Sequence, residues 1–285
     1  AFEAELADAD TKVGVAGRVV LIGCGPGDVD LLTLKAQQAL QQADVLVIDR
    51  LVAPAILEMA RRDAERIDVG KAPGSHPVPQ EEINRILVRE ALKGKIVARL
   101  KGGDAFVFGR AAEEMTAVRA AGIAVEVIPG ITAAHACAAR LGLPLTLRGK
   151  VREFTVLTGA ARDGEVEHDW RALARPGRAF AIYMGVATAP QVRQRLLDAG
   201  AEPTTSVIII ENGTLPNERA FHTSLRDLDL CVSDNALTGP AIIFVGLDWS
   251  DADLTRPATV VPFAADRPDE DVRWTAKAIA AATHW

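Results

Sequence analysis

The stretch "RLKGGDAFVFGRAAEE", residues 99–114, decides the fold. It closes the β-branched run "KIVARL" (95–100), and its Gly102-Gly103 pair lets the backbone come close to a ligand. Asp104 then stands before Phe106 and Phe108, a poor neighbourhood for a carboxylate that lacks a partner. Arg110 and Glu113 open a helix that Gly122 stops. A plain capped loop accounts for the glycines and for Asp104. It does not account for Lys101 and Arg110 on either side of so apolar a segment.

The same alternation of strand and helix extends outward from this point. Upstream lie "RVVLI" (18–22), a helical pattern from Asp30 to Gln42, "DVLVID" (44–49), and a helix around 54–62. "RIDVG" (66–70) follows, then a helix from Gln80 to Lys93 with Ile83, Ile86, Leu87 and Ala91 at helical spacing. Downstream come a helix near 110–121, "AVEVI" (124–128), and a small-residue helix from Ile131 to Leu141. Repeated βα winding predicts a largely parallel sheet covered on both faces. "LGLPLTLRGK" (141–150) breaks the rhythm and reads as a hinge. Beyond it lie "EFTVLT" (153–158), "AFAIYM" (179–184), "SVIII" (206–210), "RAFHTS" (219–224) and "AIIFVG" (241–246). The hairpin-like spacing from 206 to 224 predicts a mixed sheet. Thr188 and Gln191 have capping-box spacing, and Gly200 closes that helix. The expected organisation is an N-terminal extension (1–16), an α/β domain (17–144), a second α/β domain (145–249), and an extension with one terminal helix (250–285).

Composition narrows the function classes. Hydrophobic residues at 49% and charged residues at 25% are those of a folded globular chain. A formal charge of −6 argues against general nucleic-acid binding. Cys24, Cys137 and Cys231 are odd in number and far apart, so they read as small buried residues without a disulfide or metal role. No metal site is expected. No apolar run reaches the ~18 residues of a membrane span, and the acidic N-terminus lacks signal-peptide order. A reducing cytoplasm is the expected compartment.

The first turn, "GCGPGD" (23–28), tempts a dinucleotide reading, because Asp49 follows at about the ~20-residue distance of a ribose-binding acid. Asp28 replaces the third glycine, where a carboxylate would face a pyrophosphate. Pro26 removes an N–H from the loop. No Gly-Lys-Ser/Thr follows, so a phosphate-binding P-loop is excluded. What remains is a tight turn with an acidic cap at Asp28 or Asp30, tolerant of a cationic or neutral ligand.

"GCGPGDVDLLTLKA", "DRLV", "VGK", "VPQEEIN", "RLKGGDAFVFGR", "PGITAA" and "YMG" occur in order over residues 17–248. In this the chain resembles the tetrapyrrole (corrin/porphyrin) methylases, most of all the branch that methylates uroporphyrinogen III. The resemblance implies two α/β lobes, not a Rossmann fold, with S-adenosylmethionine in a cleft between them, and a homodimer. It implies transfer of two methyls to adjacent pyrrole rings of uroporphyrinogen III, giving precorrin-2 for sirohaem, cobalamin or haem d1. By motif it assigns the methyl donor, whose product is S-adenosylhomocysteine, to Pro26, Gly102, Gly103, Asp104, Val107, Thr132, Ala133, Met184, Gly213 and Ala241.

The resemblance also points to Asp49 as proton acceptor and Lys71 as proton donor, with Arg110, Glu113 and Met184 as rivals at the methyl-transfer end. Arginine as a base needs its pKa lowered far below ~12, so Arg110 ranks first as a clamp on a substrate carboxylate. An eight-carboxylate substrate asks an acidic protein to gather cations at its site. Arg50, Lys71, Arg99, Lys101, Arg110, Arg148, Lys150 and Arg152 lie in or beside the motif loops, and His76 offers a further hydrogen bond. His135 reads as a packed histidine. The chain departs from the family pattern at Ala72, Ala105, Ala111-Ala112, Leu147 and Ala160. Two rival readings stay open. One is a methyltransferase for a later precorrin, a cobalt-precorrin or a protein; the other is a nicotinamide-dependent oxidoreductase.

Overall fold

The computed structural model describes residues 17–70, 78–160, 167–248, 250 and the strand at 259–262. Lys71 and His76 lie outside the described residues, as do the N-terminal extension and the terminal helix expected within 250–285. The chain divides between Ala133 and Ala134 into two compact units, ahead of the 144/145 boundary read from sequence.

The first unit is a five-stranded sheet of β1 (Arg18–Gly23), β2 (Val45–Ile48), β3 (Glu65–Asp68), β4 (Ile96–Lys101) and β5 (Ala124–Ile128). Their order is β3-β2-β4-β1-β5, and every pairing is parallel. Successive residues of a strand point to opposite faces, and here each face has its own core. Val19, Leu21, Val45, Val47 and Val97 pack with the helices α3 (Gln80–Leu92) and α4 (Ala111–Ala120) through residues such as Leu87 and Val118. Val20, Ile22, Leu46, Ala98 and Leu100 pack with α1 (Leu34–Gln42), through Ala36 and Leu40, and with α2 (Pro54–Leu57), through Ile56. The sheet covered on both faces is therefore as expected. Helix α1 starts later than Asp30, because Asp28 caps a separate 3-10 turn (Val29–Leu31) and the hydroxyl of Thr33 accepts from Ala36 N–H to begin the helix.

The second unit opens with α5 (Ala133–Arg140), whose residues from Ala134 onward belong to it. That explains the early division. Ala134 N–H donates to the Tyr183 hydroxyl at 2.8 Å, and Arg140 pairs with buried Glu218 at 3.4 Å. The strands are β6 (Glu153–Thr158), β7 (Arg178–Tyr183), β8 (Ser206–Glu211), β9 (Arg219–Ser224), β10 (Ala241–Val245) and β11 (Thr259–Pro262), in the order β11-β9-β8-β10-β7-β6. The pairs β6–β7 and β9–β11 are parallel and the rest antiparallel, which is the mixed sheet expected. Within the segment 250–285, Thr259–Pro262 forms strand β11, which pairs along β9. Phe180, Ile182, Ile209, Phe221 and Ile243 pack one face against Leu173 of α6 (Trp170–Leu173), Val192 and Leu196 of α7 (Ala189–Asp198) and Leu228 of α8 (Leu228–Asp234). The capping box at Thr188 does not form; its hydroxyl donates to Gly159 O at 2.7 Å instead, tying the end of β6 to the start of α7.

Candidate functional site

Parallel strands all end at one edge, and loops leaving the carboxyl edge of such a sheet are where ligands bind. In the first unit that edge carries the motif loops in turn: "GCGPGD" after β1, Asp49-Arg50 after β2, "GGDAFVFGR" after β4 and "PGITAA" after β5. They are laced together by backbone. Gly25 N–H donates to Gly103 O at 3.1 Å, and Gly103 N–H returns the bond to Gly25 O at 2.6 Å. A methyl on Gly23 would lie 2.5 Å from Gly130 N and 2.9 Å from Gly103 O, so three loops meet there without room for a side chain. Gly103 has φ +67°, a conformation that glycine adopts at no cost. The space where a Gly102 side chain would go is filled by Leu51, 2.7 Å from a Cβ built there, so the missing side chain makes room for a neighbouring loop.

Asp104 has the partners its setting demanded. One oxygen accepts from Phe106 N–H at 2.9 Å and the other from Gly130 N–H at 2.9 Å. Its carboxylate thus joins the "GGD" and "PGITAA" loops. Phe106 and Phe108 are exposed. In and just after the "GCGPGD" turn, the N–H groups of Cys24, Gly25, Asp30, Leu31 and Leu32 are taken within the unit. Half-buried Pro26 and Val107, with Thr132 and Ala133, border this edge.

Two charged groups differ sharply in burial. Arg110 is exposed and sits before α4 with φ +55°; its Nε and Nη2 grip Glu113 at 2.8 and 2.7 Å. The bond to Glu113 holds the guanidinium above its usual range, and the same bond holds Glu113 below its own. Neither is set up as a base. Arg99 and Lys101, by contrast, are buried, against the expectation of a free anion-binding set. They lie on the Val97 face of β4 and converge on fully buried Glu114: Arg99 Nε at 2.9 Å, Lys101 Nζ at 3.1 Å. Burial and neighbouring Arg99 push the Lys101 ammonium down, against the pull of Glu114. Gln80 also donates to Glu114 at 3.3 Å. Sequence reasoning missed Glu114, although two basic residues at alternate positions of a central strand require a buried acid between them.

Arg99 also reaches outward. Its Nη2 lies 3.2 Å from Asp49 Oδ2, while Asp49 Oδ1 accepts from Arg50 N–H at 2.7 Å. The Asp49 side chain keeps 38% exposure, so the carboxylate is both held and accessible. Arg50 is exposed, and so is Arg148, which stands in a turn closed by Leu147 N–H to Val151 O at 2.9 Å. Lys150 pairs with Asp248 at 3.3 Å. His135 is exposed, not packed as expected.

In the second unit Met184 follows β7, Gly213 follows β8 and Ala241 begins β10, and register brings them to one end of the sheet, with Ala241 opposite Glu211 and Ile242 opposite Tyr183. A Cβ on Gly213 would strike Cys137 of α5, so its bareness serves helix packing. Glu218 accepts from Thr214 N–H, and Glu211 accepts from Thr238 and Gly239 N–H at 3.0 and 2.8 Å. These acids, also missed in the sequence, hold the "ENGT" loop. Phe108, Arg110, Met184, Asn212 and Thr214 all have positive φ, and only Ala236 shares this among the other described non-glycine residues. Strained backbone concentrated in motif loops marks a functional region.

These features define a ligand-binding protein of two α/β units, with Asp49 and Arg110 presented at the carboxyl edge of a parallel sheet. A family model of the Tetrapyrrole (Corrin/Porphyrin) Methylases matches residues 18–229, and the chain belongs to that family. It is 47% identical to a siroheme synthase of Azotobacter vinelandii over 86% of this chain and 52% of that protein. The chain thus spans about half the length of the curated relatives it matches. Among solved structures it resembles a uroporphyrin-III C-methyl transferase of Thermus thermophilus in complex with S-adenosyl homocysteine. The TM-score there is 0.69 at 36% identity, over 81% of this chain and 92% of that one. It also resembles a cobalt precorrin-4 methyltransferase, with TM-score 0.72 at 28% identity, over 80% of this chain and 94% of that one.

Proposed function

We propose that the chain transfers methyl groups from S-adenosylmethionine to two adjacent pyrrole rings of uroporphyrinogen III, giving precorrin-2 for sirohaem, cobalamin or haem d1 synthesis. The observation that carries this is the edge of the first sheet, where donor-loop glycines, Asp49 and Arg110 stand together on the motif loops of the matched family region. The donor supplies a methyl on a cationic sulfonium, which an electron-rich pyrrole carbon attacks in line. A turn that bears the Asp28 carboxylate and lacks an N–H at Pro26 suits that cation better than a phosphate.

Pro26, Gly102, Gly103, Asp104, Val107, Thr132 and Ala133 in the first unit, with Met184, Gly213 and Ala241 in the second, would hold the donor, largely through backbone. Arg110, oriented by Glu113, retains unused N–H donors for a substrate carboxylate. Arg50 and Arg148 are further exposed cations for the same acidic substrate, with Lys71 and His76, which lie outside the described residues. Asp49 takes the proton released after attack, and Lys71 acts as proton donor. The proposed working form is a cytoplasmic homodimer without a nucleic-acid partner.

Incubation with labelled S-adenosylmethionine and enzymatically made uroporphyrinogen III tests the reading. A doubly methylated product with the spectrum of a dihydro-isobacteriochlorin chromophore is expected, and its absence sinks the proposal. The likeness to a cobalt precorrin-4 methyltransferase favours a second reading, methylation of a later precorrin. Label transfer only to such a substrate would select it.

A further inference from the structure

Arg99, Lys101 and Glu114 have no part in the chemistry above, yet they place three charges inside the first unit with side-chain exposures of 3%, 4% and 0%. Such groups are costly to bury, and apolar residues of similar size commonly stabilise a core as well or better. Every nitrogen of the Arg99 guanidinium is engaged. Nε donates to Glu114 Oε1, Nη1 to the carbonyls of Leu100 at 3.2 Å and Val47 at 3.4 Å, and Nη2 to Asp49 Oδ2. Glu114 in turn is fixed by Lys101 and Gln80. The cluster balances two positive against two negative charges. Of these, only the Asp49 carboxylate has substantial access to solvent.

We propose that Arg99, braced by Glu114, is a positioning residue that fixes the Asp49 carboxylate for proton transfer. This rests on the reading of Asp49 as proton acceptor. The planar guanidinium grips Glu114 on one edge and Asp49 with another nitrogen, so the carboxylate is referenced to the sheet as well as to its own loop. The Arg50 N–H fixes the other oxygen. Two bonds leave lone pairs on both oxygens to receive a proton. A lysine at position 99 would keep the charge but not the fork.

The test is a double-mutant cycle of Arg99→Lys and Asp49→Asn in the full chain, assayed with labelled S-adenosylmethionine and uroporphyrinogen III. Asp49→Asn should lower kcat by about 100-fold or more, the usual worth of a positioned base. Arg99→Lys should lower kcat by about 10- to 100-fold with KM for both substrates within about twofold, as misplacement of a reacting group does. In the Asp49→Asn background Arg99→Lys should cost nothing further. An equal loss in both backgrounds, or full turnover by Arg99→Lys, overturns the positioning role while leaving Asp49 intact. Full turnover by Asp49→Asn overturns the reading of Asp49 itself. Should Arg99→Lys fail to fold, Glu114→Gln replaces it in the cycle with the same expectations and the same overturning results.

Discussion

Arg110 shows how much a single residue's setting decides. Its φ of +55° costs backbone energy, and its side chain is held by both Glu113 oxygens, so the guanidinium is aimed before any ligand arrives. Raised further from its already high pKa, it stays charged at every pH of interest and acts as a clamp. Arg110→Lys keeps the charge and meets the same backbone strain, but loses planar, paired donation. We expect kcat/KM for the tetrapyrrole to fall about 10- to 100-fold, the worth of one hydrogen bond to a charged group. Binding of S-adenosylhomocysteine, followed by calorimetry, should be unaltered. Undiminished turnover would show that one ammonium suffices and that the fork has no role. At the same scale, burial pushes the Cys24 and Cys137 thiols up to about 12, which makes them inert packing groups, as their spacing in the sequence suggested.

Among the elements, the loops matter more than the strands they leave. Gly23 ends β1 where Gly130 and Gly103 approach, and the atoms a methyl would meet are all backbone, which has no rotamer to yield. Gly23→Ala should therefore destabilise by about 3 kcal/mol or more and abolish donor binding, because three motif loops must separate. Gly103→Ala should cost only about 1–2 kcal/mol, since its Cβ would find ordinary contacts, the nearest at 3.6 Å, and its penalty is φ alone. Chemical denaturation of the two variants settles the order; equal costs would refute the close-approach argument. The sequence announced the strands well, because apolar alternation and continuous β-branched runs are physical consequences of burial on one face or two. It placed the loops at strand ends for the same reason. It could not show that Gly102 makes room for Leu51, or that the Asp104 carboxylate bonds Gly130, because both depend on residues far along the chain. The Thr188 box failed similarly: a tertiary acceptor, Gly159 O, won over the local one.

For the molecule as a whole, charge is managed by burying acids among several bases, a pattern invisible to spacing rules since the partners come from different elements. Glu114 is one case. Glu90, near the end of α3, is another. It is buried, which by itself raises a carboxyl pKa, yet hydrogen bonds from Lys93 at 2.8 Å, Lys95 at 2.8 Å and Arg89 at 3.0 Å outweigh burial and hold it at about 2. Lys95 also bonds Glu65 of edge strand β3 at 2.8 Å, so the cluster joins a helix to two strands. A carboxyl group whose folded pKa lies below its unfolded value of about 4.3 contributes stability that is full above that value. The contribution is lost as pH falls from there toward 2. Stability of the native chain should thus decline steeply over this window. In Glu90→Gln the decline should be shallower though not absent, because Glu211, Glu113, Asp63 and Asp248 are also held below their usual values. At pH 7 the variant should be less stable by about 2–3 kcal/mol, since Lys93, Lys95 and Arg89 lose their shared acceptor. Urea unfolding at half-unit steps from pH 2.5 to 7 measures both quantities. Identical pH slopes for the two proteins would mean that Glu90 titrates alike in the folded and unfolded chain, and that the cluster is only a surface decoration of α3.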